Sequence, residues 1–150
     1  MEGRATLAMT SSECPLCADL GGALVFQGDK FRVIRADEAG FPAFYRVVWT
    51  AHVAELSDLG CTDRDLCMGV VNVVELALRD RLQPTKINLA ALGNMVPHLH
   101  WHVIARFDWD SHFPAPVWAV AQRPLNHSAL AEVSGRLDAV DRAIKSALSA

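Results

Sequence analysis

Three histidines alternate with apolar residues in the run His98-Leu-His-Trp-His102, and this run constrains the fold more than any other part of the chain. Successive side chains of a β-strand point to opposite faces. The alternation therefore predicts a strand over residues 98–105, with the three imidazoles on one face and the apolar residues between them facing a core. Three polar rings on one strand face need an explanation.

Three interpretations of this run compete. The first is a partly exposed strand face that carries histidines without a function. The second is a catalytic metal, because two histidines at i and i+2 on a strand can chelate one zinc ion and leave a position for water. The third is covalent catalysis, because neutral imidazole is a good nucleophile near pH 7. The alternation by itself leaves these three interpretations open.

The rest of the sequence predicts an α+β domain with an antiparallel sheet. We interpret residues 1–12 as a loose leader and residues 13–150 as a single domain. Apolar and β-branched runs, the first two joined by a four-residue turn, predict further strands. These strands are expected over residues 23–26, 31–34, 44–50 and 87–91.

Two regions have the apolar spacing of an amphipathic helix. A capping box at Thr62–Asp65 predicts the start of the first helix, which should run to about Leu82, before Pro84. Ser128 is expected to cap the second helix, which should continue close to the end of the chain. The sequence therefore predicts two main helices beside the sheet.

Composition and charge exclude several classes of protein. The 150 residues include 14 Lys and Arg against 17 Asp and Glu, a net charge of −3, so we expect no nucleic-acid partner. The apolar runs are shorter than the roughly 20 residues of a transmembrane helix, so we expect no membrane partner. The first residues do not resemble a signal peptide, which predicts a cytoplasmic protein whose four cysteines are thiols or metal ligands.

Two of the cysteines form the pair Cys14-Pro-Leu-Cys17. This spacing is that of a zinc knuckle, which supplies two of the four ligands of a structural site. A redox pair or a chance pairing explains the same spacing, so the two cysteines alone do not decide the matter.

The histidine run and its surroundings resemble the histidine triad (HIT) superfamily. His-Leu-His-Trp-His-Val-Ile matches the family motif, and Phe41–His52 resembles the family strand that leads to a fourth histidine. Asn88 and Gly93-Asn94 stand where the family has an amide residue and a Gly-Gln pair. The resemblance covers most of the chain. It implies a HIT-like α+β fold, an antiparallel sheet of about five strands with two main helices.

The family consists of nucleotide hydrolases and transferases that attack the α-phosphate of a nucleotide. The resemblance implies that His100 is the nucleophile and forms a nucleotidyl-histidine intermediate, which water hydrolyses without a cofactor. His102 is expected to hydrogen-bond the phosphate or the leaving oxygen, and His98 to orient the backbone or a metal. Residues expected to contact the nucleotide are Asn88, Asn94 and Asp37.

Two positions bear on the substrate. Met95 replaces the serine of the phosphoramidase branch, and His102 is present where the uridylyltransferase branch has glutamine. The resemblance therefore favours hydrolysis of a dinucleoside polyphosphate, such as diadenosine tetraphosphate. Two alternatives remain: a nucleoside phosphoramidase or adenylate hydrolase, and a non-catalytic module that binds nucleotide and zinc.

The resemblance also bears on zinc and on assembly. Some HIT proteins complete the zinc knuckle with two histidines whose positions match His52 and His98, which implies a structural zinc site of Cys14, Cys17, His52 and His98. In zinc-free members the position of His52 belongs instead to the active-site network. HIT proteins usually pair, so the resemblance also implies a homodimer.

Overall fold

A computed structural model of the chain describes residues 9–150. Its centre is a five-stranded antiparallel sheet in the order β1-β2-β3-β5-β4. The strands are β1 (Ala23–Gln27), β2 (Phe31–Arg35), β3 (Phe44–Trp49), β4 (Lys86–Ala90) and β5 (His100–Arg106). The predicted α+β fold is confirmed. Residues 1–8 of the predicted leader lie outside the described residues.

Helices α2 and α4 pack on each other and on one face of the sheet. The helices are α1 (Pro15–Ala18), α2 (Cys61–Leu82), α3 (His127–Ser134) and α4 (Leu137–Leu148), with a 3₁₀ turn at Leu56–Asp58. The predicted capping box at Thr62–Asp65 is wrong, because α2 begins at Cys61 with Gly60 at its N-cap. A reciprocal capping box lies instead at the 3₁₀ turn, between Glu55 and Asp58.

The last predicted helix is divided in two at Gly135 and Arg136, between α3 and α4. The predicted cap at the start of this helix is also wrong, because the side chain of Asn126, and not that of Ser128, accepts a hydrogen bond from the amide N–H of Ala129. Asparagine is a favoured N-cap residue because its short side chain reaches a free N–H of the first turn. The predicted apolar stripe nevertheless survives the division, since four of its members are buried. These are Val133, Leu137, Val140 and Ile144.

The two faces of the sheet carry different residues. Arg46 of β3 lies opposite His102 of β5, and His100, two positions earlier in β5, shares that face. The alternate positions belong to the main core, which lies between the sheet and the helices. Buried members of that core are Val33, Val47, Val103, Val74, Leu78, Val140 and Ile144.

Strand β5 begins at His100, two residues later than predicted. Gly93 has a φ of +70°, a conformation that glycine adopts without strain, and the chain turns there on its way from β4 to β5. The ladder between β4 and β5 ends at the pair Ala90 and His102. Because β5 begins at His100, His98 lies just outside the strand that carries the other two histidines. No helix within residues 9–150 is long and apolar enough to cross a membrane.

Candidate active site

His100 is held in one orientation by the backbone of its own strand. Its Nδ1 lies 2.6 Å from the carbonyl oxygen of His98. A carbonyl oxygen only accepts, so Nδ1 carries the proton and, in the neutral ring, Nε2 keeps its lone pair. Burial, together with the charge of Arg46, holds the pKa of His100 below its usual value. The ring is therefore a neutral imidazole with a free nucleophilic nitrogen near pH 7.

His102 stands beside His100, with ring centroids 4.9 Å apart. Nε of Arg46 donates a hydrogen bond of 3.3 Å to Nδ1 of His102. The rings of Phe44 and Trp118 meet the imidazole edge to face, at centroid distances of 5.4 and 5.2 Å. Burial, His100 and Arg46 lower the pKa of His102 to about 3.

A cavity of about 230 Å³ opens beside His100. It lies where β5 extends past the end of β4, between the loop after β3 and the loop after β4. Its lining consists of residues 54–56, 91–93 and 98–101. A larger cavity of about 480 Å³ is lined by the end of β2 and by α3 and α4, and it contains no histidine. We take the smaller cavity as the candidate active site because His100, whose Nδ1 alone is bound by the backbone, lines it.

A second cluster gathers two cysteines and two histidines at the end of the same motif. The ligand atoms of Cys14, Cys17, His52 and His98 all lie within 4.8 Å of one another. Nδ1 of His98 is 3.4 Å from each sulfur and 3.3 Å from Nδ1 of His52. The sulfur of Cys17 is also 3.4 Å from Nδ1 of His52. These four residues come from three separated parts of the chain.

The spacing of this cluster fits a tetrahedral metal site. Zinc bonds of about 2.3 Å to sulfur and 2.0–2.1 Å to nitrogen place sulfur and nitrogen about 3.5 Å apart and two nitrogens about 3.3 Å apart. Nε2 of His52 lies 2.8 Å from the carbonyl oxygen of Met9, and Nε2 of His98 lies 2.5 Å from that of Trp49. Both Nε2 atoms therefore carry protons, and both Nδ1 lone pairs point into the cluster, as metal ligands require.

Arg32 of β2 holds the segment that carries Cys14 and Cys17 against the sheet. Its guanidinium donates to the carbonyl oxygens of Leu16, Asp19 and Leu20 at 2.8, 2.9 and 3.0 Å. These carbonyls lie in and just after α1, where a short helix leaves its acceptors free. The position of the two cysteines therefore depends on a buried arginine as well as on the cluster itself.

The three residues expected to contact the nucleotide lie in different surroundings. Oδ1 of Asn88 accepts a hydrogen bond of 2.9 Å from Arg106, so its amide group is partly engaged within the protein. Asn94 is exposed in the loop after β4. Asp37 lines the larger cavity and not the one beside His100. Their role in nucleotide binding stays a prediction.

Sequence reasoning missed Arg46, which contacts His102 directly. The signal was available, because Arg46 interrupts the apolar strand Phe44–Trp49 at a single position. A lone charge within such a strand must find a partner or reach solvent. Arg46 has a buried partner in His102, and it also pairs at 3.3 Å with Glu38, which is exposed to solvent.

The segment after β5 is anchored by a buried ion pair that sequence reasoning also missed. Arg106 and Asp110 form two hydrogen bonds of 2.8 and 3.0 Å, with side chains only 2% and 3% exposed. Asp110 also accepts backbone N–H groups of residues 107, 112 and 113. These bonds fix the turn that returns Trp118 over His102.

The model of the HIT domain family matches residues 20–109, which is more than half of the chain. The chain belongs to the HIT family. This confirms the resemblance seen in the histidine run. Membership of the HIT family supports a role of the nucleotide-binding or nucleotide-hydrolase type.

Solved structures of HIT proteins match over most of the chain. A histidine triad protein from Bradyrhizobium japonicum is 30% identical, with a TM-score of 0.69 over 83% of this chain and 92% of that one. One from Sinorhizobium meliloti is 28% identical, with a TM-score of 0.62 over 78% and 87% of the two chains. A search of curated proteins gives no match.

One further structure shares the fold. It is that of a Zn-bound histidine triad family protein from Mycobacterium smegmatis, which is 21% identical. Its TM-score is 0.62, over 93% of this chain and 99% of that one.

Proposed function

We propose that this HIT protein is a nucleotide hydrolase that cleaves a phosphoanhydride at the α-phosphate through a nucleotidyl intermediate on His100. The observation that carries the proposal is the hydrogen bond from His100 Nδ1 to the His98 carbonyl, which leaves Nε2 free to attack. The proposed substrate class is a dinucleoside polyphosphate such as diadenosine tetraphosphate.

Two displacements at phosphorus complete the reaction. Nε2 of His100 forms a bond to the α-phosphorus, and the bond from that phosphorus to the bridging oxygen breaks. The oxygen leaves with the electron pair as part of the second nucleotide. Water then attacks the same phosphorus, the P–N bond breaks and returns its electron pair to His100, and the water proton is released. His102 hydrogen-bonds the phosphate or the leaving oxygen during these steps.

The remaining polar residues have supporting roles in this proposal. Asn94 contacts the phosphate from the loop after β4, and Asn88 contacts the ribose or phosphate. Asp37 accepts hydrogen bonds from the ribose hydroxyls. His98 acts through its backbone carbonyl, which orients His100. Replacing His102 with alanine should lower turnover by about 10²–10⁴-fold, the range of a hydrogen-bond donor or an acid–base group.

Mass spectrometry of protein quenched after mixing with diadenosine tetraphosphate tests the proposal. Wild-type protein should carry an added nucleoside monophosphate on His100, and His100→Ala should carry none. His127→Ala is a matched control, because His127 is exposed at the start of α3. Binding without an adduct or turnover would favour the non-catalytic module. Faster turnover of an adenylate or a phosphoramidate would favour the alternative hydrolases.

We also propose that Cys14, Cys17, His52 and His98 bind one structural zinc ion. The distances within the cluster and the orientation of both imidazoles support it. A neighbour from Mycobacterium smegmatis is described as Zn-bound, which adds a precedent within the fold. Zinc here would tie α1 and the loop after β3 to the start of β5, and His98 would be a ligand and not an acid or base. Elemental analysis of the purified protein tests this, with about one zinc per chain expected.

Finally, we propose that the protein is a homodimer. Strand β4 lies at an edge of the sheet, where its outer N–H and C=O groups are available for pairing. Leu89 of that strand is 42% exposed. Light scattering should give about twice the 16.4 kDa mass of one chain, and a monomer at micromolar concentration would contradict the proposal.

A further inference from the structure

Arg46 occupies a position from which it controls the proton on His102. The two residues are paired across β3 and β5, on the same face of the sheet. The Arg46 side chain is 21% exposed, and Nε donates to Nδ1 of His102. Its charge is only weakly compensated, because the partner Glu38 is 45% exposed and solvent screens such pairs strongly.

This contact fixes the tautomer of His102. Arginine has five N–H donors and no acceptor, and its guanidinium is not deprotonated in proteins. Nδ1 of His102 must therefore be the acceptor, and the proton of the neutral ring lies on Nε2. A second proton on Nδ1 would break the hydrogen bond and place a buried positive ring against the positive Arg46.

A ring held in this state donates a hydrogen bond but does not give up its proton. Loss of the Nε2 proton would leave an imidazolate, and Arg46 cannot supply a replacement. The leaving group must then depart without a proton from His102. The phosphate oxygen of an anhydride leaves as a stable anion, whereas the nitrogen of a phosphoramidate must be protonated before or while the P–N bond breaks.

We propose that Arg46 is a positioning residue that holds His102 as a neutral hydrogen-bond donor and so makes the site selective for anhydrides over phosphoramidates. The selectivity for anhydrides rests on the proposed function, whereas the assignment of the His102 tautomer does not. In the selective step Nε2 of His100 bonds to the α-phosphorus and the P–O bond to the second phosphate breaks. The electron pair goes to the departing oxygen, which His102 Nε2–H stabilises with a hydrogen bond.

The first test reads the tautomer by ¹⁵N NMR of the histidine rings in the full-length protein. We expect a proton on Nε2 and none on Nδ1 of His102 in the wild type. Arg46→Lys should preserve this state, because lysine still donates and keeps the charge. Arg46→Met should release it, giving a mixture of tautomers. Arg35→Met is the matched control, since Arg35 is a similarly exposed arginine that pairs with Asp141 and not with a histidine.

The second test measures kcat/KM for diadenosine tetraphosphate and for adenosine 5′-phosphoramidate. In Arg46→Met the ratio of phosphoramidate to anhydride activity should rise by about tenfold or more, because His102 becomes able to act as an acid. Arg46→Lys and Arg35→Met should keep the wild-type ratio.

Two results overturn the inference. One is a wild-type His102 that is protonated on Nδ1, which contradicts the tautomer even if Arg46→Met does not fold. The other is an unchanged activity ratio in a folded Arg46→Met, which contradicts the selectivity. A wild type that cleaves neither compound overturns the proposed function and the selectivity with it, while the NMR measurement still decides whether Arg46 fixes His102.

Discussion

Two neighbouring histidines of the motif, His98 and His100, look alike in sequence but lie in different surroundings. His98 is 1% exposed and turns both ring nitrogens toward protein atoms, one to the carbonyl of Trp49 and the other into the cysteine cluster. His100 engages only its Nδ1 with the backbone and lines an open cavity. An imidazole with both nitrogens engaged holds structure together, whereas one with a free nitrogen is available for chemistry.

The largest effect should come from removing that free nitrogen. His100→Ala should lower turnover by about 10⁴-fold or more, because no other imidazole in the cavity has the same hydrogen bond to orient it. Steady-state kinetics measures the loss, and circular dichroism should show an unchanged fold. Near wild-type turnover in this variant would show that the free nitrogen of His100 has no role in the reaction.

Breaking the cysteine and histidine cluster should instead lower the stability of the fold. Cys14→Ser should abolish the proposed zinc binding and lower the free energy of unfolding by more than about 3 kcal/mol, because metal binding is coupled to folding. Elemental analysis and urea denaturation measure both quantities. Cys61→Ser is the control, since Cys61 is an exposed free cysteine outside the cluster. A zinc-free Cys14→Ser protein as stable as this control would assign the cluster no structural role.

The pH dependence of stability should report the neutral state of His102. Its pKa is lowered to about 3 by burial, His100 and Arg46, against an ordinary value of 6.5. A folded pKa below the unfolded one gives stability that is present above pH 6.5 and lost as pH falls toward 3. Between pH 6.5 and 5 this loss should be about 2 kcal/mol for His102.

Denaturation of wild type and His102→Gln at several pH values measures this contribution. The variant should lose less stability on acidification, because its side chain at this position does not titrate. Parallel pH profiles for the two proteins would mean that His102 is not held neutral by its surroundings.

The smallest effect should come from Trp118, which is 53% exposed and packs against His102 and Phe44. Trp118→Ala should cost about 0.5–1.5 kcal/mol of stability, the range of an aromatic pair. It should leave the zinc content unchanged, because Trp118 contacts His102 and not the cysteine and histidine cluster. A loss of zinc in this variant would show that the surroundings of His102 and the cysteine and histidine cluster are coupled.

Local patterns predicted much of this protein. The alternation of the histidines predicted a strand, which the structure forms from His100 onward with His98 outside it. Helical spacing found the stripe that includes Val140 and Ile144. Helix ends were predicted less well, since the caps at Thr62 and Ser128 are wrong. Several neighbouring residues can satisfy the free N–H groups of a first turn, and small differences in the path of the chain choose among them.

The sequence by itself determined the strand, the spacing of the imidazoles and, through the family resemblance, the set of four metal-type ligands. These depend on side-chain period and on residue type, which are local properties. Only the tertiary structure decided that Arg46, 56 positions before His102, donates to it, and that Asp110 anchors the segment carrying Trp118. Such partners are set by strand register and by the return path of a loop, and no short stretch of sequence contains either.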